Sequence, residues 1–258
     1  MRHLAFALAL ALGCADAARG QPPPAAIDVA ARGATWDAEV AALAEVRAAL
    51  ATAWAEARTD DQRAAVRARA RAALLHAIRD RLAPAWFGMR WGMGRDSTAT
   101  RPFAPGHTIS CSYFVGAVLA GAGFRLRDRF ALGQAAAKDI QRSLVGGTGP
   151  VHRFLSIPPA ELAARIARLG DGVYLIGLAN HVGLVVVRGV DVEFVHASYL
   201  GDAVVLAEPL ATSPAIAASQ PKGYFVSPLV TAAGAVDDWL IERWLTGAAV
   251  GPARPPRA

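Results

Sequence analysis

Cys111 opens the stretch Ser110-Cys111-Ser112-Tyr113-Phe114-Val115-Gly116-Ala117-Val118-Leu119, which follows the helix-hostile Pro105-Gly106 pair. The pattern reads as a loop running into an apolar helix. The unpaired amides and positive dipole end of a helix start favour an anion, so a cysteine there is placed to act as a thiolate nucleophile. A free cysteine is also a common core residue, and the partners downstream decide between the two readings. Two histidines follow in β-like runs, His181-Val182-Gly183-Leu184-Val185-Val186-Val187 and Val192-Glu193-Phe194-Val195-His196-Ala197-Ser198. Cysteine, then histidine, then a polar orienting residue is the order of a thiol hydrolase.

Strand geometry relates the two histidines. If Arg188-Gly189-Val190-Asp191 forms a two-residue hairpin turn, Gly183 faces His196 and His181 faces Ser198. His181 and His196 then become diagonal neighbours on one face, with Cβ atoms on the order of 7 Å apart. Gly183 leaves room beside His196. A one-residue change in turn length would send the rings to opposite faces, so this reading depends on the register.

These residues resemble the NlpC-type papain-like cysteine peptidases, which cut bacterial cell-wall peptides. The resemblance spans roughly residues 91–229 and rests on a cysteine at a helix start, a His-Val-Gly strand, and a polar residue on the next strand. The family usually has Asp-Cys-Ser-Gly where this chain has Ser110-Cys111-Ser112-Tyr113. The resemblance implies an α+β, papain-like fold, with the cysteine helix packed on an antiparallel sheet. It also implies a Cys111–His181–His196 triad, no cofactor, and a peptidoglycan stem peptide or other peptide as substrate. Trp91, Ser112 and Tyr113 are the candidate substrate-binding residues. An acyltransferase or thioesterase with the same triad, or an inactive wall-binding module, are the alternatives.

The chain of 258 residues is 54% hydrophobic, enough for one substantial core. Residues 1–20 read as an export leader, with Met1-Arg2-His3 followed by a short apolar run from Leu4 to Leu12. It ends either in cleavage near Ala15-Asp16-Ala17 or in lipidation of Cys14, which would anchor the protein to a membrane. Either exit makes the protein periplasmic or membrane-anchored and leaves Cys111 without a disulfide partner. The net charge of +6 comes almost entirely from Arg in an Ala-, Gly- and Pro-rich background. Arg63, Arg67, Arg69, Arg71, Arg79 and Arg81 spread around a helix as a solvated face. No aromatic interleaving accompanies them, so nucleic acid is not an expected partner.

Residues 21–35, with Pro22-Pro23-Pro24, read as a linker and residues 36–84 as a helical hairpin extension, for which packing is the default role. Trp36, Val40, Leu43, Leu50 and Trp54 mark its first helix. Thr59-Asp60-Asp61-Gln62 is a capping box for the second, which Pro84 ends. The catalytic domain is expected over 85–246. It opens with a Trp-, Gly- and Met-rich loop in which Trp86 or Trp91 is a candidate for the cleft. Helices are expected at the cysteine stretch up to Gly123, over 131–145, from about Ser156 to Gly170, and over 237–245. Strands are expected over 173–178, 182–187, 192–197, 204–207 and 224–227. Residues 247–258 read as a disordered tail. No metal-spaced cluster is present, because His181 and His196 lack a nearby third ligand, and oligomeric state has no sequence signature.

Overall fold

The computed structural model describes residues 28–147 and 149–253. Two helices come first, α1 (Val29–Glu56) and α2 (Asp60–His76). α2 starts as its sequence requires, with Thr59 accepting from the Gln62 amide while the Gln62 side chain accepts from the Thr59 amide. α1 begins inside the expected linker, so residues 29–35 are helix. Asp28 caps it by accepting from the Ala31 amide, and the Arg32 guanidinium donates to the Pro84 carbonyl. Gly33 and the lack of large apolar residues before Trp36 hid this extra length from the periodicity. Beyond α2 one wide helical turn over Ala77–Leu82 and a tight turn over Pro84–Trp86 bring the chain to the site.

The hairpin is no appendage. Trp36, Leu43, Leu50, Val66 and Leu74 share one core with Phe114, Leu119, Leu175 and Val195, which is the packing role. Trp86 is fully buried, edge-on to Trp36 at 5.5 Å and to Phe114 at 6.0 Å. It is therefore core and not cleft.

α3 (Cys111–Gly121) ends where Gly123 turns to a φ of +84° and the Phe124 amide returns to the Leu119 carbonyl. The single helix expected over 131–145 is two, α4 (Arg129–Gln134) and α5 (Ala137–Leu144), separated by extended backbone at Ala135 and Ala136. Tertiary contacts override the helical propensity of this alanine run. Gly133 sits against the Tyr113 ring so closely that a Cβ would fall 2.3 Å from it. On α5, the Gln141 carboxamide donates to the carbonyls of Leu175 and Phe225, pinning that helix onto the sheet.

The remaining elements are β1 (His152–Phe154), α6 (Pro159–Ala167), β2 (Gly172–Gly177), β3 (Val182–Arg188), β4 (Asp191–Ala197), β5 (Val205–Pro209), α7 (Pro214–Ser219), β6 (Tyr224–Thr231) and α8 (Asp238–Thr246). The strands form one antiparallel sheet in the order β1-β6-β2-β3-β4-β5. This is the α+β arrangement expected, with the cysteine helix against the sheet. β1 has three residues, too few for a period-2 signal. Val182, Leu184, Val186 and Val195 face α3 and the hairpin, while Val185, Val187 and Phe194 face α6 and α7. Covered on both faces, β2 and β3 read as continuous apolar runs instead of alternating ones.

The expected tail also begins too early. Val250 is buried and exchanges backbone hydrogen bonds with Arg125 and Arg127. Residues 254–258 and the segment expected to be a leader, Cys14 included, lie outside the described residues. No helix among the described residues is long and apolar enough to cross a membrane.

One carboxylate holds α2, β6 and α8 together. Asp237 accepts from Arg71 Nε at 2.7 Å and from the amide and hydroxyl of Thr231, and its side chain is fully buried. Asp237→Ala leaves Arg71 with only its partly exposed partner Asp238 and unpairs the buried Thr231 amide and hydroxyl, and should cost about 1–3 kcal/mol of stability. A urea unfolding curve checks this, and a loss under about 1 kcal/mol would contradict the anchoring role.

Candidate active site

Cys111 takes the first helical position of α3 because Ser110 is extended, at φ −94° and ψ 167°, and offers no side-chain cap. The first-turn amides of α3, including those of Cys111 and Ser112, have no acceptor within the helix. The preceding residue is clamped. Ile109 bridges both Trp91 and Thr98, and the Ser110 amide donates to the Ser97 carbonyl. The Trp91 loop is thereby fixed alongside Cys111. Gly92 is required for this approach, since a Cβ there would lie 2.3 Å from Thr108 Oγ1.

The hairpin has the register read from the sequence. Arg188 pairs with Asp191 and the ladder runs to Leu184 and Val195. Gly189, at φ +58°, supplies the left-handed turn residue. A Cβ on Gly183 would lie 2.8 Å from that of His196, so only glycine leaves the ring its place. His181, just before β3, has its carbonyl bonded to the Leu178 amide, which closes the β2–β3 turn. His181 Nε2 lies 2.7 Å from His196 Nδ1, with the rings nearly perpendicular. Phe194 stacks on His196 at 3.9 Å and Tyr199 meets His181 edge-on at 5.3 Å.

The sequence reading missed the next member. Glu208 Oε1 lies 3.2 Å from His196 Nε2, and the Ser213 hydroxyl donates to the same oxygen at 2.5 Å. Glu208 pairs with Phe194 across the β4–β5 ladder, which places it diagonal to His196. The expected strand stopped at Ala207. Carrying the diagonal-pair rule one strand further would have found it.

This chain of bonds fixes the tautomers. As a carboxylate Glu208 only accepts, so His196 carries its proton on Nε2 and presents Nδ1 as an acceptor. His181 must then donate from Nε2, which leaves its Nδ1 lone pair free to take a proton. Ser213 is held in turn, because its oxygen accepts from the Ile216 amide at the start of α7. Both histidines are neutral at rest. His181 is pushed down to about 3 by burial and then by the neighbouring His196, and His196 to about 3 by burial.

Cys111 and His181 both line two adjoining cavities. The first, of about 890 Å³, is walled by Trp91, Met93, Ser112, Tyr113, Phe130 and Tyr199, with Arg95 as its charged residue. All three candidate substrate-binding residues are therefore on its wall. Ser112 Oγ lies 3.9 Å from the Cys111 sulfur, and Tyr113 packs edge-on against Phe130. The second cavity, of about 670 Å³, runs past Gln134, Lys138, Asn180 and Lys222. Among the described residues no three His, Cys, Asp or Glu side chains gather as a metal site. Comparison of the chain with protein-family models, curated proteins and solved structures gives no match.

The histidine pair makes stability pH-dependent. The unfolded chain takes up protons below about pH 6.5, whereas the folded histidines resist until about 3. The stability is thus present above pH 6.5 and lost as pH falls, at up to about 1.4 kcal/mol per pH unit per histidine. Urea midpoints should fall between pH 6.5 and 5, and the His181→Asn/His196→Asn double variant should flatten that slope. A slope identical in the two proteins would refute this assignment.

Proposed function

We propose that the protein is an exported thiol hydrolase of papain-like design that cleaves an amide bond, with a peptidoglycan stem peptide as the favoured substrate. The observation that carries the reading is Cys111 at a helix start, sharing a cavity with His181, whose Nε2 is held by a His196–Glu208 relay. In the first half-reaction His181 Nδ1 accepts the thiol proton as sulfur attacks the carbonyl carbon. The same proton passes to the leaving amine as the C–N bond breaks, giving a thioester on Cys111. Water, deprotonated by His181, then releases the acid and restores the thiol. The oxyanion meets the first-turn amides of α3, each good donor contributing roughly 3 kcal/mol.

His196 touches no reacting atom and acts as a positioning residue. The substrate bond follows from the family resemblance and from the export leader, which would deliver the enzyme to the wall. The apolar wall of the larger cavity favours one second reading, acyl transfer or thioester hydrolysis on a lipid-like chain with the same residues.

Purified cell wall and a lipid thioester, assayed in parallel, separate the two substrates. Cys111→Ser should fold normally and lose turnover on either. Undiminished activity in that variant would rule out the nucleophile. His181→Asn should reduce kcat about 10²–10⁴-fold. His196→Asn should retain more activity than His196→Ala, because an amide oxygen can still accept from His181 Nε2. Equal activity of His196→Ala and wild type would remove His196 from the mechanism.

A further inference from the structure

Lys138 and Lys222 are the only lysines in the sequence, against a large excess of arginine, and both line the cavity that runs from Cys111 and His181 past Asn180. They come from separate elements. Lys138 stands in the first turn of α5, and Lys222 in the turn that leads into β6. Both side chains are exposed, and among the described residues neither is engaged in an ion pair. By contrast Arg67, Arg71, Arg79, Arg101, Arg165 and Arg188 all sit against carboxylates. Among the described residues no Asp or Glu lines this cavity or the apolar one beside it.

Two ammonium groups converging on a groove without a counter-charge attract an anion, and the low-dielectric walls focus that attraction. Gln134 and Asn180 add amide donors along the same groove. The opposite side of Cys111 is apolar, with Arg95 its one charged residue. We propose that the substrate carries a carboxylate on the side of its scissile carbonyl that faces Lys138 and Lys222, and its apolar part on the side of Trp91, Tyr113 and Phe130. The inference rests on the thiol-hydrolase reading and specifies its substrate as an acidic peptide.

Iodoacetate and iodoacetamide test the charge preference, since both alkylate a thiolate by displacing iodide and they differ by one carboxylate. Alkylation of the Cys111 peptide is followed by mass spectrometry on the full chain, and the ratio of the two rates is compared with that for free N-acetylcysteine. At low salt the ratio should exceed the free-thiol value about tenfold. It should fall severalfold in Lys138→Met/Lys222→Met and drop in the wild type as salt is raised. A ratio unchanged by the double variant would overturn the proposal, including the case in which Arg95 or the helix start alone supplies the attraction. Failure of the hydrolase reading has a different signature, turnover that survives Cys111→Ser, and it leaves the alkylation ratios as they are.

Discussion

The geometry of the site depends on a largely buried line of hydrogen bonds whose donors all point toward Glu208. The Ile216 amide donates to Ser213, Ser213 donates to Glu208, and His196 donates to the same carboxylate. His181 donates to His196. Each donor meets one acceptor, which is what allows two imidazoles to be buried without a large unpaired cost. Reversing the His196–Glu208 link would put the His181 proton on Nδ1, the nitrogen that acts as base in the proposed mechanism. A helix cap at α7 is thus linked to His181, just before β3, through two strand registers.

The two faces of the sheet explain why His181 sits where it does. α3 packs on the face made by Val182, Leu184 and Val195, whereas His196 shares the opposite face with Phe194. A histidine in the middle of β3 could serve one face only. His181 lies just before the first paired residue of β3, at the end of the sheet, where a ring can touch the relay on one side and the Cys111 cavity on the other. Gly183 makes this possible, since a side chain there would collide with both Phe194 and His196.

Much of this was legible in the sequence, for physical reasons particular to each element. The β3–β4 register could be read because Gly189 fixes the turn and the strand period is two, so the turn alone determines which residues are neighbours. The α2 start could be read because its capping box is local. What escaped was set by distant contacts. The α4–α5 break depends on Tyr113 and the sheet carbonyls, the early start of α1 on Asp28 and Pro84, and the docking of Val250 on Arg125 and Arg127. Glu208 lies between these cases. Its type and spacing were visible, but only a strand carried past Ala207 brings it to His196.

In the proposed reaction, the depressed histidines constrain how the thiol could be activated. Protonating His181 at neutral pH against a value of about 3 costs about 5 kcal/mol. In the proposed mechanism a thiolate formed beside the imidazolium offsets part of that cost, since opposite charges about 4 Å apart attract by about 4 kcal/mol at an effective dielectric of about 20. The proposed proton transfer is therefore least unfavourable when both charges form together. The Glu208 carboxylate behind His196 favours the charged His181 further, through a ring that stays neutral. Activation is then a property of the assembled pair. A base that was already charged could not accept the proton, and one without the relay would pay the full burial cost alone.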